Sequence, residues 1–172
     1  MTVAKETAGY TATQILLHWV IAALVVLQLV IGEDIKPAYR ALSEGSSPTA
    51  DDLFNANIHV YVGLLVLLLT VWRLAIRLVS GVPAPPPEEN ILLTRIAMAT
   101  HLLLYLFIFG MPITGVLAWY FDFGAMGEIH EFAKPVIIIA VGFHAAAALW
   151  QHFIVKSDVL VRMLRPAKRR MS

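Results

Sequence analysis

The stretch Ile129–Val155, IHEFAKPVIIIAVGFHAAAALWQHFIV, decides the fold. After Lys134 it carries no Asp, Glu, Lys or Arg, the pattern of a helix that crosses hydrocarbon. Within it, His130 and His144 stand 14 residues apart. At about 1.5 Å rise and 100° turn per residue, they share one face at depths roughly 21 Å apart. An ionisable ring inside a membrane is costly and marks a functional site by default. Two rings on one face at two depths predict two stacked ligands or one relay.

The rest of the chain reads the same way. Of its 172 residues, 59% are hydrophobic and 15% charged. Ordinary globular chains hold about 45–50% and 25%. A single membrane domain over residues 1–172 is expected. The net charge of +1 says less than where the charges lie. The absence of cysteine excludes disulfides, Fe–S clusters, thiolate zinc sites and covalent c-type haem. The apolar run Ile15–Ile31 is long for a signal peptide and is followed by Gly32-Glu33-Asp34 rather than a small-residue cleavage site. It reads as a retained span.

Four segments are long and apolar enough to span: 13–31, 57–79, 91–120 and 129–155. The fold class is therefore all-α, a four-helix transmembrane bundle. Residues 32–56 form a polar loop, and Pro83, Pro85, Pro86 and Pro87 stiffen the second connection. Gly124 and Gly127 mark the third, brief one, and 156–172 is a basic tail. Ten of the 13 Lys and Arg residues lie at the N-terminus, the proline linker with its flanking helix ends, and the tail. The other two connections hold Lys36, Arg40 and Lys134 beside eight Asp and Glu, a net of −5. The positive-inside rule puts both termini in the cytoplasm and the acidic loops outside.

This topology sorts the histidines into layers. His59 and His130 open two different helices from the outer side. His144 lies on the inner half with His18 or His101, and His152 ends the fourth helix. Facing histidines in a helix bundle are what a bis-imidazole haem needs, each imidazole giving one nitrogen to iron. Gly63, Gly110, Gly115 and Gly142 would let a flat ring or a neighbouring backbone come close. A closed zinc site wants about four ligands at one depth, and no layer offers four. A proton relay would favour intramembrane carboxylates, which the first three helices lack in their cores. The expected cofactors are two b-type haems bound within the bundle.

Arg73 follows His59 by 14 residues and so reaches the inner layer, where its guanidinium can pair with a haem propionate. Arg77, one turn on, is expected to snorkel to lipid phosphates. Trp19 and Trp150 are candidates to line a cofactor, and the basic tail to touch anionic lipid.

With these residues in view, the chain resembles the bacterial cytochrome b561 family of four-helix di-haem proteins, over roughly Tyr10–Pro166. The segments that carry the likeness are Leu16-Leu17-His18-Trp19, Ile58-His59-Val60 with Gly63, Trp72-Arg73-Leu74 and His101-Leu102-Leu103-Leu104-Tyr105. Ile129-His130-Glu131, Phe143-His144-Ala145 and Val161-Arg162-Met163-Leu164-Arg165-Pro166 complete it. The resemblance implies that His18 pairs with His144 on the inner haem iron and His59 with His130 on the outer. It implies electron transfer between an outer-face donor and ubiquinone in the bacterial inner membrane. One type of relative oxidises superoxide, which makes a superoxide:ubiquinone oxidoreductase an expectation. Acidic outer loops do not steer an anion and equally suit a basic periplasmic redox protein. The alternative is a haem-bearing anchor for a dehydrogenase, a hydrogenase or a periplasmic cytochrome. For the quinone, His101 is preferred over His152 and Gln151, its other role being a buried hydrogen bond to a propionate or to the backbone.

Overall fold

A computed structural model describes residues 9–86 and 90–167. Lys5, Pro87, Lys168, Arg169 and Arg170, used above for charge and linker readings, lie outside the described residues. The chain is all-α, and four of its helices are long and apolar enough to cross a membrane. They are α1 (Ala12–Ile31), α3 (Ala50–Ser80), α4 (Ile91–Phe121) and α5 (Gly124–Trp150), which a π-helical turn continues over Gln151–Val155. The short helices α2 (Lys36–Ser43) and α6 (Val159–Arg162) lie at opposite ends of the bundle.

The chain runs up and down, as short loops between long helices require. α1 packs on α3, α3 on α4 and α4 on α5. The end that holds α2 carries the acidic connections, and the other carries the basic ones.

Local chemistry sets the boundaries. Thr11 and Gln14 form a reciprocal capping box that starts α1, with side chain to backbone distances of 3.2 and 2.9 Å. Thr49 and Asp52 do the same for α3, which therefore starts at Ala50, seven residues before the apolar pattern begins. At 31 residues, α3 is about 46 Å long and outreaches a hydrocarbon core of about 30 Å. Its first two turns thus stand above the core. α5 likewise starts at Gly124, leaving only Asp122 and Phe123 between it and α4.

The buried core lies midway along the bundle. Ile21 and Val25 of α1, Val66 of α3 and Ile137 of α5 form one cluster, covered by Phe107, Ile108 and Met111 of α4. Ile137 is seven residues from both His130 and His144, and Val66 is seven from both His59 and Arg73. The apolar core therefore separates two polar layers.

The polar loop contains a helix the sequence reading left out. Pro37 sits in the first turn of α2, where its missing N–H costs nothing. Ala38 is fully buried and Tyr39 stacks on Trp119 at 6.5 Å. The tail also does more than carry charge. Arg162 donates to the Ala84 carbonyl (2.8 Å), and Trp19 Nε1 donates to the Met163 carbonyl (2.8 Å). The basic end is tied together by these contacts.

Candidate functional site

Each polar layer holds a pair of imidazoles contributed by two helices. At the acidic end, the His59 ring (α3) and the His130 ring (α5) have centroids 6.1 Å apart and planes 70° apart. At the basic end, the His18 ring (α1) and the His144 ring (α5) are 6.2 Å apart at 69°. Two imidazoles that share one metal through nitrogen bonds of about 2 Å stand about 6 Å apart, centroid to centroid. Both separations fit a shared axial metal.

The ring of His101 (α4) lies 5.1 Å from His144, so the structure sets both inner-layer candidates against that residue. They differ in setting. His18, His59, His130 and His144 are half-buried, whereas His101 is exposed. Its Nδ1 is 2.6 Å from the Ala97 carbonyl, one turn back on its own helix. His152 packs against the Phe153 ring (4.8 Å), and Gln151 Oε1 accepts from Ser157 Oγ (2.8 Å).

The acidic-end pair lines a cavity of about 390 Å³, within the range of ordinary ligand pockets. Its floor is apolar, including Val25, Met111 and Ile137, and its rim is polar, with Lys36, Lys134 and Tyr39. α4 shapes the His130 side. The Met111 carbonyl lies 2.8 Å from His130 Nδ1, and because a carbonyl only accepts, Nδ1 carries the hydrogen and Nε2 keeps the lone pair. Such a contact to the second nitrogen orients a ligating histidine. A Cβ on Gly115 would stand 3.3 Å from the His130 ring, so glycine makes this approach possible. Gly63 serves a different purpose. It makes room for the Gln28 amide, which donates to the His59 carbonyl (2.8 Å). Gly110 and Gly142 have no protein atom among the described residues within 4 Å of an added Cβ, so no neighbouring backbone makes a close approach there.

An ion-pair chain crosses the cavity rim. Lys36 of α2 reaches Glu33 (2.8 Å) and Glu131 of α5 (2.7 Å), and Lys134 of α5 pairs with Glu33. Hydrogen bonds from Lys134 and Lys36 lower the Glu33 carboxyl to about 2. Glu131 and Glu33 in turn raise Lys36. Lys36 and Lys134 are thus neutralised by acidic neighbours.

At the basic end, Arg73 sits beside the second layer. Its Nη1 donates to the Gln14 carbonyl (2.5 Å). Gln14 is buried and passes its amide N–H on to the Gly81 carbonyl (3.0 Å). Trp19 and Trp150 are both exposed, and Trp19 packs edge-on to His18 (5.3 Å).

Sequence reasoning missed Gln28, Tyr39, Met111 and the ion-pair chain. Only the Thr49-x-x-Asp52 box and Pro37 gave a local sign of order in that loop. Among the described residues, no three or more His, Asp or Glu side chains gather as a metal-ion site.

Residues 9–166 match the family model described as prokaryotic cytochrome b561. The chain is similar to cytochrome b562 of Cereibacter sphaeroides, 35% identical over 161 residues that cover 94% of this chain and 98% of that one. It is 25% identical over 182 residues to the probable superoxide oxidase CybB of Yersinia pestis, covering 93% and 97% of the two chains. It is 30% identical over 129 residues to cytochrome b561 homolog 2 of Escherichia coli, covering 62% and 69%. Paired histidine layers, four membrane-crossing helices and a match along nearly the whole length agree: this chain belongs to the prokaryotic cytochrome b561 family.

Proposed function

We propose that the chain is a di-haem b cytochrome of the bacterial inner membrane that passes electrons between a donor at the acidic face and ubiquinone. Two imidazole pairs with ring separations of 6.1 and 6.2 Å, one at each end of α5, carry this reading. His59 and His130 hold one haem, His18 and His144 the other. Bound haem supplies a one-electron couple at each layer. Both termini face the cytoplasm and the acidic end lies outside in this reading, which the distribution of Lys and Arg supports. Arg73 offers its remaining guanidinium N–H groups to a propionate of the basic-end haem. His101 stands exposed against His144, and with its Nδ1–H on the Ala97 carbonyl its Nε2 can accept a hydrogen bond from a quinol hydroxyl in the lipid.

Superoxide is the donor to test first, because the similar protein from Yersinia pestis is described as a probable superoxide oxidase. The balanced reaction oxidises two superoxide ions to two dioxygen molecules and reduces one quinone, which takes up two protons as quinol. Neutralisation of Lys36 and Lys134 by Glu33 and Glu131 weighs toward a neutral or basic donor instead. Rapid mixing of superoxide with the oxidised holoprotein, with and without ubiquinone, decides between them. Haem reduction that ubiquinone reverses supports the superoxide activity. No reduction assigns the acidic face to a partner protein.

A further inference from the structure

The cavity between His59 and His130 has two unlike sides. Val25, Val66, Met111 and Ile137 line its floor, while Glu33, Lys36, Glu131 and Lys134 stand at its rim. A b-type haem is divided in the same way. One edge of its ring is hydrocarbon, and the opposite edge carries two carboxylate arms. A carboxylate sunk among the floor residues would be desolvated without a partner, so the carboxylate edge must face the rim. There the cations are Lys36 of α2 and Lys134 of α5. Arg40, the third cation of this end, is exposed and does not border the cavity.

Each ammonium has three N–H donors. Lys36 uses two, toward Glu33 (2.8 Å) and Glu131 (2.7 Å), and Lys134 uses one, toward Glu33. No ion pair has to break for a further acceptor to bind. Lys134 also reaches the histidine layer itself: a carbon added at Gly32 would lie 3.8 Å from both Lys134 Nζ and His59 Cε1. Its side chain is 26% exposed against 44% for Lys36, so its attraction for an anion is the less screened. Resting on the di-haem reading above, we infer that Lys134 and Lys36 bind the carboxylate arms of the acidic-end haem, which makes α2 part of that cofactor's site. Glu33 and Glu131 cancel the long-range pull of these lysines on a diffusing anion. A carboxylate that the haem carries into contact meets their N–H groups directly, as a charge-assisted hydrogen bond.

Infrared spectroscopy of the full-length holoprotein in lipid nanodiscs tests this. The protein is loaded with haem whose carboxylate carbons are a heavy isotope, and the reduced-minus-oxidised spectrum isolates the labelled bands. Lys134→Met and Lys36→Met should each shift part of these bands. Each should also release one haem of the two to excess apomyoglobin about tenfold faster, the effect of losing one charge-assisted hydrogen bond. Arg40→Met, which removes an equal charge from the same end, should do neither. Lys134→Arg should restore retention yet move the bands, because a guanidinium holds a carboxylate in a different geometry. Bands and release rates unchanged in both methionine variants, or changed equally by Arg40→Met, overturn the inference. Unmoved bands in Lys134→Arg overturn it too, even where a methionine variant fails to fold. Fewer than two haems per wild-type chain would instead sink the di-haem reading on which it rests.

Discussion

Gly115 shows how much one missing side chain decides. Its α-carbon faces the His130 ring so closely that a methyl group would lie 3.3 Å away, tighter than ordinary van der Waals contact. Gly115→Val is expected to push the ring off the Met111 carbonyl and to convert or lose the acidic-end haem, read from the low-spin spectrum. Gly142→Ala is the control, because nothing lies within 4 Å of its added carbon. It should leave the spectrum unchanged and keep or slightly raise stability, by up to about 1 kcal/mol. The sequence treated these two glycines alike. Both sit in apolar helices, and only the rotation of α4 against α5 tells them apart. Arg73 was legible from its spacing to His59, but its bond to the Gln14 carbonyl was not. Arg73→Leu is expected to shift the potential of the basic-end haem and leave the acidic-end one in place, measured by redox titration.

At the scale of elements, α2 acts as a cap. Its contacts are Tyr39 on Trp119 and the chain from Glu131 through Lys36 and Glu33 to Lys134. Exposed ion pairs are individually weak, so the cap depends on the network acting together with the aromatic stack. The pH dependence follows from the lowered Glu33 carboxyl. A group moved from 4.5 to about 2 on folding stabilises the docked cap fully above about pH 4.5. That contribution falls away as pH drops toward 2. Hydrogen exchange over residues 36–43 should therefore accelerate across this window, and Glu33→Gln should flatten the dependence while exchanging fast throughout. Exchange that stays pH-independent in the wild type, after correction for the intrinsic rate, would show that the stack alone holds α2. The apolar pattern could not reveal this helix, because it is short and its order comes from packing on α3 and side-chain contacts to α4 and α5.

Across the whole molecule, the core of Ile21, Val25, Val66 and Ile137 keeps the two histidine layers apart. Its packing is what the bundle relies on, since lipid tails are as apolar as the helices and leave little hydrophobic drive between them. Ile137→Ala, at a site only 4% exposed, should cost about 2 kcal/mol in reversible unfolding and loosen both layers together. His130→Ala should act on one layer only. The sequence by itself determined that the chain is an all-α bundle of four spans, because the length of an uncharged apolar run is a local property that hydrocarbon thickness reads directly. Heptad-like spacing also determined which residues share a helix face, since 3.6 residues per turn is the same in every α-helix. Tertiary structure alone decided which faces meet. It set His101 beside His144 as well as His18, gave His130 Nδ1 a carbonyl partner and His59 Nδ1 none among the described residues, and folded α2 over the cavity. Those outcomes depend on the rotation, tilt and depth of each helix against its neighbours, which side-chain packing settles and one-dimensional spacing does not.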